Sequence, residues 1–144
     1  MIRKLQPDEI DRAVEIWLRA SIDAHSFIDR EVWESGAEDM REEYLPSAEN
    51  WALDHDGEVV GFFSLEGNML AALFVDPEVQ GRGFGKKLLD KAKSLHSRLV
   101  VSVYEENDRA VSFYRRHGFA CADRRKDLHT EHMEWVMEWE AGQE

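Results

Sequence analysis

Apolar residues recur along the chain with two periods, and each period predicts a different kind of element. After Asp8, apolar side chains return every three or four positions as far as Ile22, which predicts an amphipathic helix with Asp8 as its N-terminal cap. The short apolar runs 59–65, 70–75 and 99–103 are instead typical of strands, and the last of them is apolar enough to be covered on both faces. The pattern therefore predicts a chain that mixes helices and strands.

The order of the predicted elements indicates the fold class. One strand and two helices come first, a meander of three strands follows, and the chain ends as β-α-β-α-β-β. This order predicts a single α+β domain over residues 1–144, with a twisted, mixed and mostly antiparallel sheet of about six to seven strands and about four helices. The predicted strands are 2–5, 51–53, 59–65, 70–75, 99–103, 119–122 and 135–139, and the later helices are 29–45, ending before Pro46, 86–95 and 107–117.

Composition and charge narrow the classes of partner. The 144 residues include 18 Lys and Arg against 30 Asp and Glu, a formal net charge of −12 at pH 7. Nucleic-acid-binding domains usually present a basic face, so we expect no nucleic acid partner and instead an attraction for amines or basic peptides. No apolar run reaches the roughly 18 residues that span a membrane, and the acidic N-terminus is unlike a signal peptide. With one cysteine, Cys121, the sequence predicts a cytoplasmic protein without a disulfide framework.

A glycine loop between a predicted strand and a predicted helix is the richest segment. Three glycines alternate between Val75 and Lys86. Glycines allow positive φ and close approach of a ligand, and the free N–H groups of the first helical turn favour an anion. The loop therefore predicts a phosphate cradle, although a turn that binds nothing could have the same spacing. It fits neither a P-loop, because Lys87 replaces the hydroxyl residue, nor a dinucleotide fingerprint, because its third glycine comes one residue early.

Two motifs in order give the chain a resemblance to a known family. The loop reads Gln80-x-x-Gly83-x-Gly85 after an apolar strand and Asp-Pro, and one further strand separates it from Asn107-x-x-Ala110-x-x-Phe113-Tyr114-x-x-x-Gly118-Phe119. These motifs resemble the acyl-CoA loop and the second signature of the GNAT family of N-acetyltransferases, over most of the chain. The stretch His25-x-Phe27-Ile28 and the chain length are most similar to a small bacterial branch of that family.

The resemblance implies a donor site for acetyl-CoA and transfer by direct attack in a ternary complex. The loop would hold the pyrophosphate, and the preceding strand would run beside the pantetheine, with a backbone N–H near Phe74 or Val75 polarising the acetyl carbonyl. Asn107 would bind the pantetheine arm, or serve only as a helix cap. Tyr114 would protonate the leaving thiolate, or serve only as a packed aromatic. The donor-binding residues implied are Leu73, Phe74, Val75, Gln80, Gly81, Arg82, Gly83, Phe84, Gly85, Lys86, Asn107 and Tyr114.

The sequence offers several alternatives for the general base. Aligned on Gln80, the carboxylate positions that the family uses fall on Met69 and Ser102, and 70–75 contains no ionisable residue. Three substitutes remain, which are His25, Glu105 and, through water, Glu66, and proton loss to bulk water is an equal alternative. The six histidines show no ligand spacing, so we predict no metal.

The acceptor implied by the resemblance is a primary amine, with a protein lysine first. A small amine metabolite or antibiotic is a close alternative, and a degenerate module that senses acyl-CoA without transferring it is another. A toxin acting on aminoacyl-tRNA would need a basic surface, which the net charge of −12 opposes. We expect a monomer or a homodimer, with Trp17 in the core, Trp135 and Trp139 in the core or a dimer seam, and Cys121 buried rather than nucleophilic.

Overall fold

The structure of the protein is a computed structural model, and it describes residues 1–142. Seven strands form one sheet, and they are β1 Ile2–Lys4, β2 Glu49–His55, β3 Glu58–Glu66, β4 Met69–Val75, β5 Arg98–Tyr104, β6 Ala120–Lys126 and β7 Met133–Glu140. Their order in the sheet is β1-β2-β3-β4-β5-β7-β6. Every neighbouring pair is antiparallel except β4 and β5, which run parallel. The predicted mixed, mostly antiparallel sheet is confirmed.

Helices cover both faces of this sheet. They are α1 Ile10–Ala24, α2 Arg30–Asp39, the single turn α3 Leu45–Ser47, α4 Phe84–Leu95 and α5 Asp108–Arg116. Side chains of α1 pack with Phe62 of β3 in one apolar cluster, while α4 and α5 pack with Phe63 in another. Neighbouring strand residues point to opposite faces, so β3 is buried on both sides. Each fully buried phenylalanine stabilises the fold by about 1.5–3 kcal/mol.

The second helical stretch continues further than the sequence predicts. It does not end before Pro46, because a π-helical turn at Met40–Tyr44 separates α2 from α3. The π turn shifts the hydrogen-bond register, and Pro46 then falls in the first turn of α3, where its missing N–H is not needed. Met40 lies in this irregular turn and faces the cavity described below.

Two local predictions are wrong. Asp8 does not cap α1, because it lies inside a 3₁₀ turn, Pro7–Glu9, and the carboxylate of Glu9 accepts the N–H of Gln6 at 2.9 Å instead. Cys121 is exposed rather than buried. It lies on β6, which in the described part of the sheet is an edge strand paired only with β7, and all seven residues of that strand are exposed. Among residues 1–142, no helix is long and apolar enough to cross a membrane.

Candidate active site

The sheet opens between its two parallel strands. Within the described residues, Met69 and Val100 are the only paired positions of β4 and β5, and the strands diverge beyond them. A bulge at Ala71 accompanies the divergence, because Ser64 pairs with Ala72 while Leu65 pairs with Leu70. A bulge bends a strand and increases its twist. The gap forms part of a cavity of about 1140 Å³ whose walls come from β4, β5 and the helices of both faces.

The glycine loop lies at the end of the cavity next to α4 and α5. Gly83 precedes α4 with φ +80°, a left-handed conformation that side chains with a Cβ rarely adopt. No side chain within the described part of the chain caps α4, so the N–H groups of its first turn stay available to a ligand. A Cβ added at Gly83 would have no atom of residues 1–142 within 4 Å, which leaves open space in front of the backbone. The loop thus has the geometry that an anion-binding cradle requires.

Cations and polar side chains surround this end of the cavity. All of the predicted donor-binding residues line the cavity except Arg82, which is exposed and lies outside the cavity wall. Gln80 ties the loop to β4 by donating from Nε2 to the Val75 carbonyl at 3.1 Å. Sequence reasoning missed Arg109 and Arg116, which come from α5 and also line the cavity. Their only signal was a position on the same helix as Tyr114.

Tyr114 is buried in the wall of the cavity. It is 6% exposed and packs edge-on against Phe113 and Phe119, each with ring centroids 5.2 Å apart. Its hydroxyl has no hydrogen-bond partner among residues 1–142, and the side chain lines the cavity. Burial raises the pKa of this phenol above its ordinary value, so the hydroxyl remains protonated at neutral pH. A protonated hydroxyl at this position can donate to a group bound in the cavity.

His25 and Asn107 lie together at the centre of the cavity wall. His25 is 7% exposed, and its Nε2 is 3.1 Å from Nδ2 of Asn107. Burial lowers the pKa of the imidazole, against an opposing effect of the Ser21 carbonyl, so the ring is neutral near pH 7. Asn107 also caps α5, because its Oδ1 accepts the N–H of Ala110 at 3.2 Å. The cap predicted as its alternative role is therefore present.

The other candidate bases lie away from the cavity. Glu105 is paired with Arg124, whose Nη2 is 3.1 Å from Oε1. This hydrogen bond, with the charge of Arg124, lowers the pKa of Glu105, which weakens it as a base. Glu66, at the end of β3, is exposed and is also absent from the cavity wall. Ser102 does line the cavity, where its hydroxyl accepts from Nη2 of Arg125 at 2.7 Å. Within the described residues, no carboxylate projects from β4 or β5 into the cavity wall.

Aromatic and acidic side chains line the opposite end of the cavity, next to α1 and α2. Trp17, Trp33 and Tyr104 contact one another or His25 there, with Trp17 and Trp33 edge-on at 5.8 Å. Asp23 and Glu106 add two exposed carboxylates. The sequence prediction placed Trp17 in the core, and Trp17 does pack on the α1 cluster, but it also faces the cavity. The remaining aromatic and acidic positions were missed because they come from α1, α2, β5 and the turn that follows β5.

Comparison with known proteins agrees with this geometry. Residues 46–121 match the family model described as an acetyltransferase (GNAT) domain. The chain is 36% identical over 140 residues to the peptidyl-lysine N-acetyltransferase YiaC of Escherichia coli K12, covering 96% of both chains. It is 38% identical over 125 residues to the peptidyl-lysine N-acetyltransferase YjaB of Salmonella typhimurium, covering 85% of both. The solution structure of apo YjaB from Escherichia coli superposes with a TM-score of 0.86 at 32% identity, covering 96% of both chains.

Proposed function

Because the chain belongs to the GNAT family of N-acetyltransferases, we propose that it transfers the acetyl group of acetyl-CoA to the side-chain amine of a lysine in a protein or peptide. Membership confirms the resemblance predicted from the two motifs, and it makes the protein an acetyltransferase with acetyl-CoA as the donor. The lysine acceptor is the proposal, and the peptidyl-lysine activity in the names of two relatives supports it.

One observation carries the proposal, which is that a single cavity passes through the gap between β4 and β5. Its lining includes residues of α4 and α5 on one face of the sheet and residues of α1 and α2 on the other. A donor bound beside the glycine loop can therefore meet an acceptor that arrives from the opposite face. Direct transfer in a ternary complex requires that both reactants are bound at the same time. Separate entrances on the two faces allow this.

The glycine-loop end suits the phosphates of the donor. The first turn of α4 presents free N–H groups and the positive end of a helix dipole. Lys86, Arg109 and Arg116 add positive charge along the same wall, although Lys86 also pairs with Asp90 at 2.9 Å. This end therefore offers both backbone donors and cations to a pyrophosphate.

The backbone of β4 offers donors to the rest of the acyl arm. Asp76 donates its N–H to Val60 on β3 at 2.8 Å, and backbone groups alternate sides along a strand. The backbone N–H of Phe74 therefore faces β3, whereas the backbone N–H groups of Leu73 and Val75 face the gap. The Val75 carbonyl agrees, because it accepts from Gln80 rather than from β3. We assign the polarisation of the acetyl carbonyl to this gap-facing pair, and one such donor is typically worth about 3–4 kcal/mol of barrier.

The α1–α2 end suits a cationic alkylamine. Lysine arrives as an ammonium ion, and Asp23 and Glu106 attract it while Trp17, Trp33 and Tyr104 can cover its aliphatic stem. The net charge of −12 favours approach of a basic peptide in the same way. Within the described residues, no carboxylate of β4 or β5 lines the cavity. We therefore assign the removal of the ammonium proton to solvent.

Tyr114 completes the chemistry at the sulfur. The neutral amine attacks the thioester carbon, the C–N bond forms, and the C–S bond breaks. The Tyr114 hydroxyl gives its proton to the departing sulfur, and the proton released by the new amide nitrogen restores the balance through solvent. Burial keeps the pKa of Tyr114 raised, so the proton is present when the thiolate leaves.

Acetylation of a lysine-containing peptide, followed by mass spectrometry, tests the proposal. Tyr114→Phe should lower kcat by about 100-fold or more, because general acid catalysis usually contributes that much, while the Kd of acetyl-CoA stays within about threefold. Tyr44→Phe is the matched control, since Tyr44 is 50% exposed and lies outside the cavity wall.

Three results would contradict parts of the proposal. Equal turnover by wild type and Tyr114→Phe would remove the general acid. Transfer to free polyamines but never to peptides would replace the acceptor. A folded wild-type protein that fails to bind acetyl-CoA would remove the function altogether.

We also propose that the protein works in the cytoplasm, as the sequence predicts. Cys121 is exposed and unpaired, and a free surface thiol is typical of a reducing compartment. Detection of the protein in fractionated cells, with the cytoplasm separated from the membrane and extracellular fractions, tests this assignment.

A further inference from the structure

His25 and Asn107 belong to a chain of hydrogen bonds that joins two helices on opposite faces of the sheet. Nδ1 of His25, just after α1, is 2.9 Å from the Ser21 carbonyl. Nε2 of the same ring is 3.1 Å from Nδ2 of Asn107, which precedes α5. Oδ1 of Asn107 in turn accepts the N–H of Ala110 at 3.2 Å. The chain therefore begins and ends on backbone groups.

Those two backbone groups determine every donor and acceptor between them. A carbonyl oxygen only accepts, so Nδ1 of His25 carries the proton and Nε2 holds a lone pair. A backbone N–H only donates, so the oxygen of the Asn107 amide faces Ala110 and its nitrogen faces His25. The Asn107 amide is thus fixed in one orientation, with one N–H given to His25 and the other without a partner among the described residues.

Aromatic packing holds the imidazole in place. Trp33 stacks on His25 with ring centroids 5.1 Å apart and planes inclined by 28°. Tyr104 and Phe27 contact the ring edge-on at 5.2 Å and 5.6 Å. With only 7% of the residue exposed, the ring has little freedom to turn toward an incoming amine.

We propose that His25 is a positioning residue, which holds the Asn107 amide so that its second N–H donates to a carbonyl oxygen of the acyl donor. The proposal rests on the proposed function, because it requires that the donor lies beside Asn107. His25 does not act as the general base that the sequence suggested, since its only basic lone pair is already engaged by Asn107. An acceptor-side helix then sets the geometry of a donor-side contact.

Calorimetric titration of the full chain with acetyl-CoA tests the proposal through paired variants. His25→Ala and Asn107→Ala should each raise Kd roughly threefold to tenfold, the effect of one neutral hydrogen bond. The double variant should bind like Asn107→Ala alone, because removing Asn107 leaves His25 nothing to position. His25→Gln retains an acceptor in place of Nε2 and should keep both Kd and kcat within about threefold of wild type. His96→Gln, at the end of α4 and outside the cavity wall, is the matched control.

Different results would overturn the positioning role of His25 and the proposed function of the protein. Multiplicative effects of His25→Ala and Asn107→Ala would overturn the positioning role. So would a His25→Gln variant that binds acetyl-CoA normally but loses about 100-fold or more in kcat, as a lost base would. Nitrogen-15 NMR of the wild-type imidazole provides a readout that needs no variant: a proton on Nε2 would overturn the chain. Folded wild-type protein that does not bind acetyl-CoA would fail the proposed function, whereas the NMR test of the chain would still stand.

Discussion

Replacing Asp76 with asparagine, a side chain of the same shape, should destabilise the protein. Asp76 is 4% exposed, and its carboxylate is 2.8 Å from Nη2 of Arg12 and 3.4 Å from Nη1 of Arg19. Its second oxygen accepts the N–H of Glu78 at 3.0 Å, which starts the turn into the glycine loop. Asparagine retains an oxygen for that N–H but loses the charge that faces both arginines.

The size of the effect follows from how much water reaches the pair. Breaking a fully buried ion pair costs about 3–5 kcal/mol. The side chains of Arg12 and Arg19 are 28% and 38% exposed, so they recover part of their hydration when the carboxylate is removed. Charge-assisted hydrogen bonds are worth about 1.5–3 kcal/mol, and we expect a loss of about 2 kcal/mol at pH 7. For a chain of this length, that corresponds to a fall in Tm of about 4–8 °C.

The pH dependence gives the prediction its second part. Burial opposes ionisation of Asp76, but the Glu78 N–H, the Arg12 hydrogen bond and the charges of both arginines outweigh it and lower the pKa. The stabilisation by the carboxylate is therefore fully present above the unfolded pKa of about 3.9 and is lost as pH falls through the folded value. Urea unfolding of wild type and Asp76→Asn should show the largest difference at neutral pH and a shrinking difference in acid.

Glu34→Gln is the control for this measurement. Glu34 pairs with Arg30 at 3.4 Å one helical turn away, and both side chains are at least half exposed. Its loss should cost about 0.5 kcal/mol or less. If Asp76→Asn were no less stable than this control at pH 7, or if its deficit persisted unchanged in acid, the account of Asp76 as a charged link between α1 and the loop would be refuted.

Two further predictions concern the loop and the imidazole. Gly83→Ala should lower stability by about 1–2 kcal/mol in thermal unfolding because the φ of Gly83 is +80°, and it should also weaken acetyl-CoA binding. Gly57→Ala, at φ +84° in an open turn, should lower stability alone. Equal acetyl-CoA affinity in the two variants would contradict the phosphate cradle. Burial lowers the pKa of His25, so the unfolded state takes up its proton first as pH falls below about 6.5. Wild type should therefore lose stability relative to His25→Gln over that range in urea titrations, and parallel pH curves would argue against a buried neutral ring.

Much of the fold follows from local pattern. The alternation that buries β3 on both faces is present in residues 59–65 themselves, and all seven strands were anticipated in order. The extent of β6 was not, because Asp123 to Lys126 are polar and an edge strand exposes them all. The π turn at Met40–Tyr44 and the bulge at Ala71 depend on tertiary packing, and no residue type at these positions predicts them. The sheet order β5-β7-β6 likewise depends on contacts between distant segments.

The donor end of the site was easier to anticipate than the acceptor end for the same reason. The glycine loop and Tyr114 lie in continuous motifs, and the resemblance of those motifs to the GNAT family is what marks them. Trp33, Asp23 and Tyr104 come from three elements and have no shared spacing. His25 was a candidate from the sequence, but its contact with Asn107 could not be anticipated, because Asn107 lies 82 residues further along the chain. Functional residues that share one motif can be predicted from the sequence, whereas contacts between residues of different segments are known only from the fold.

The net charge of −12 and a donor that carries phosphates are compatible because the relevant fields act over different distances. At physiological ionic strength, charges further than about 8 Å from an exposed site are largely screened. A phosphate bound in the glycine loop, as we propose, would therefore interact mainly with the first turn of α4 and with Lys86, Arg109 and Arg116 on the same wall. At the other end of the cavity, Asp23 and Glu106 have the same sign as the surface around them, so local and overall charge both favour a cationic amine. Under the proposed function, the acidic composition thus favours a cationic acceptor, while a small basic region would suffice for the donor.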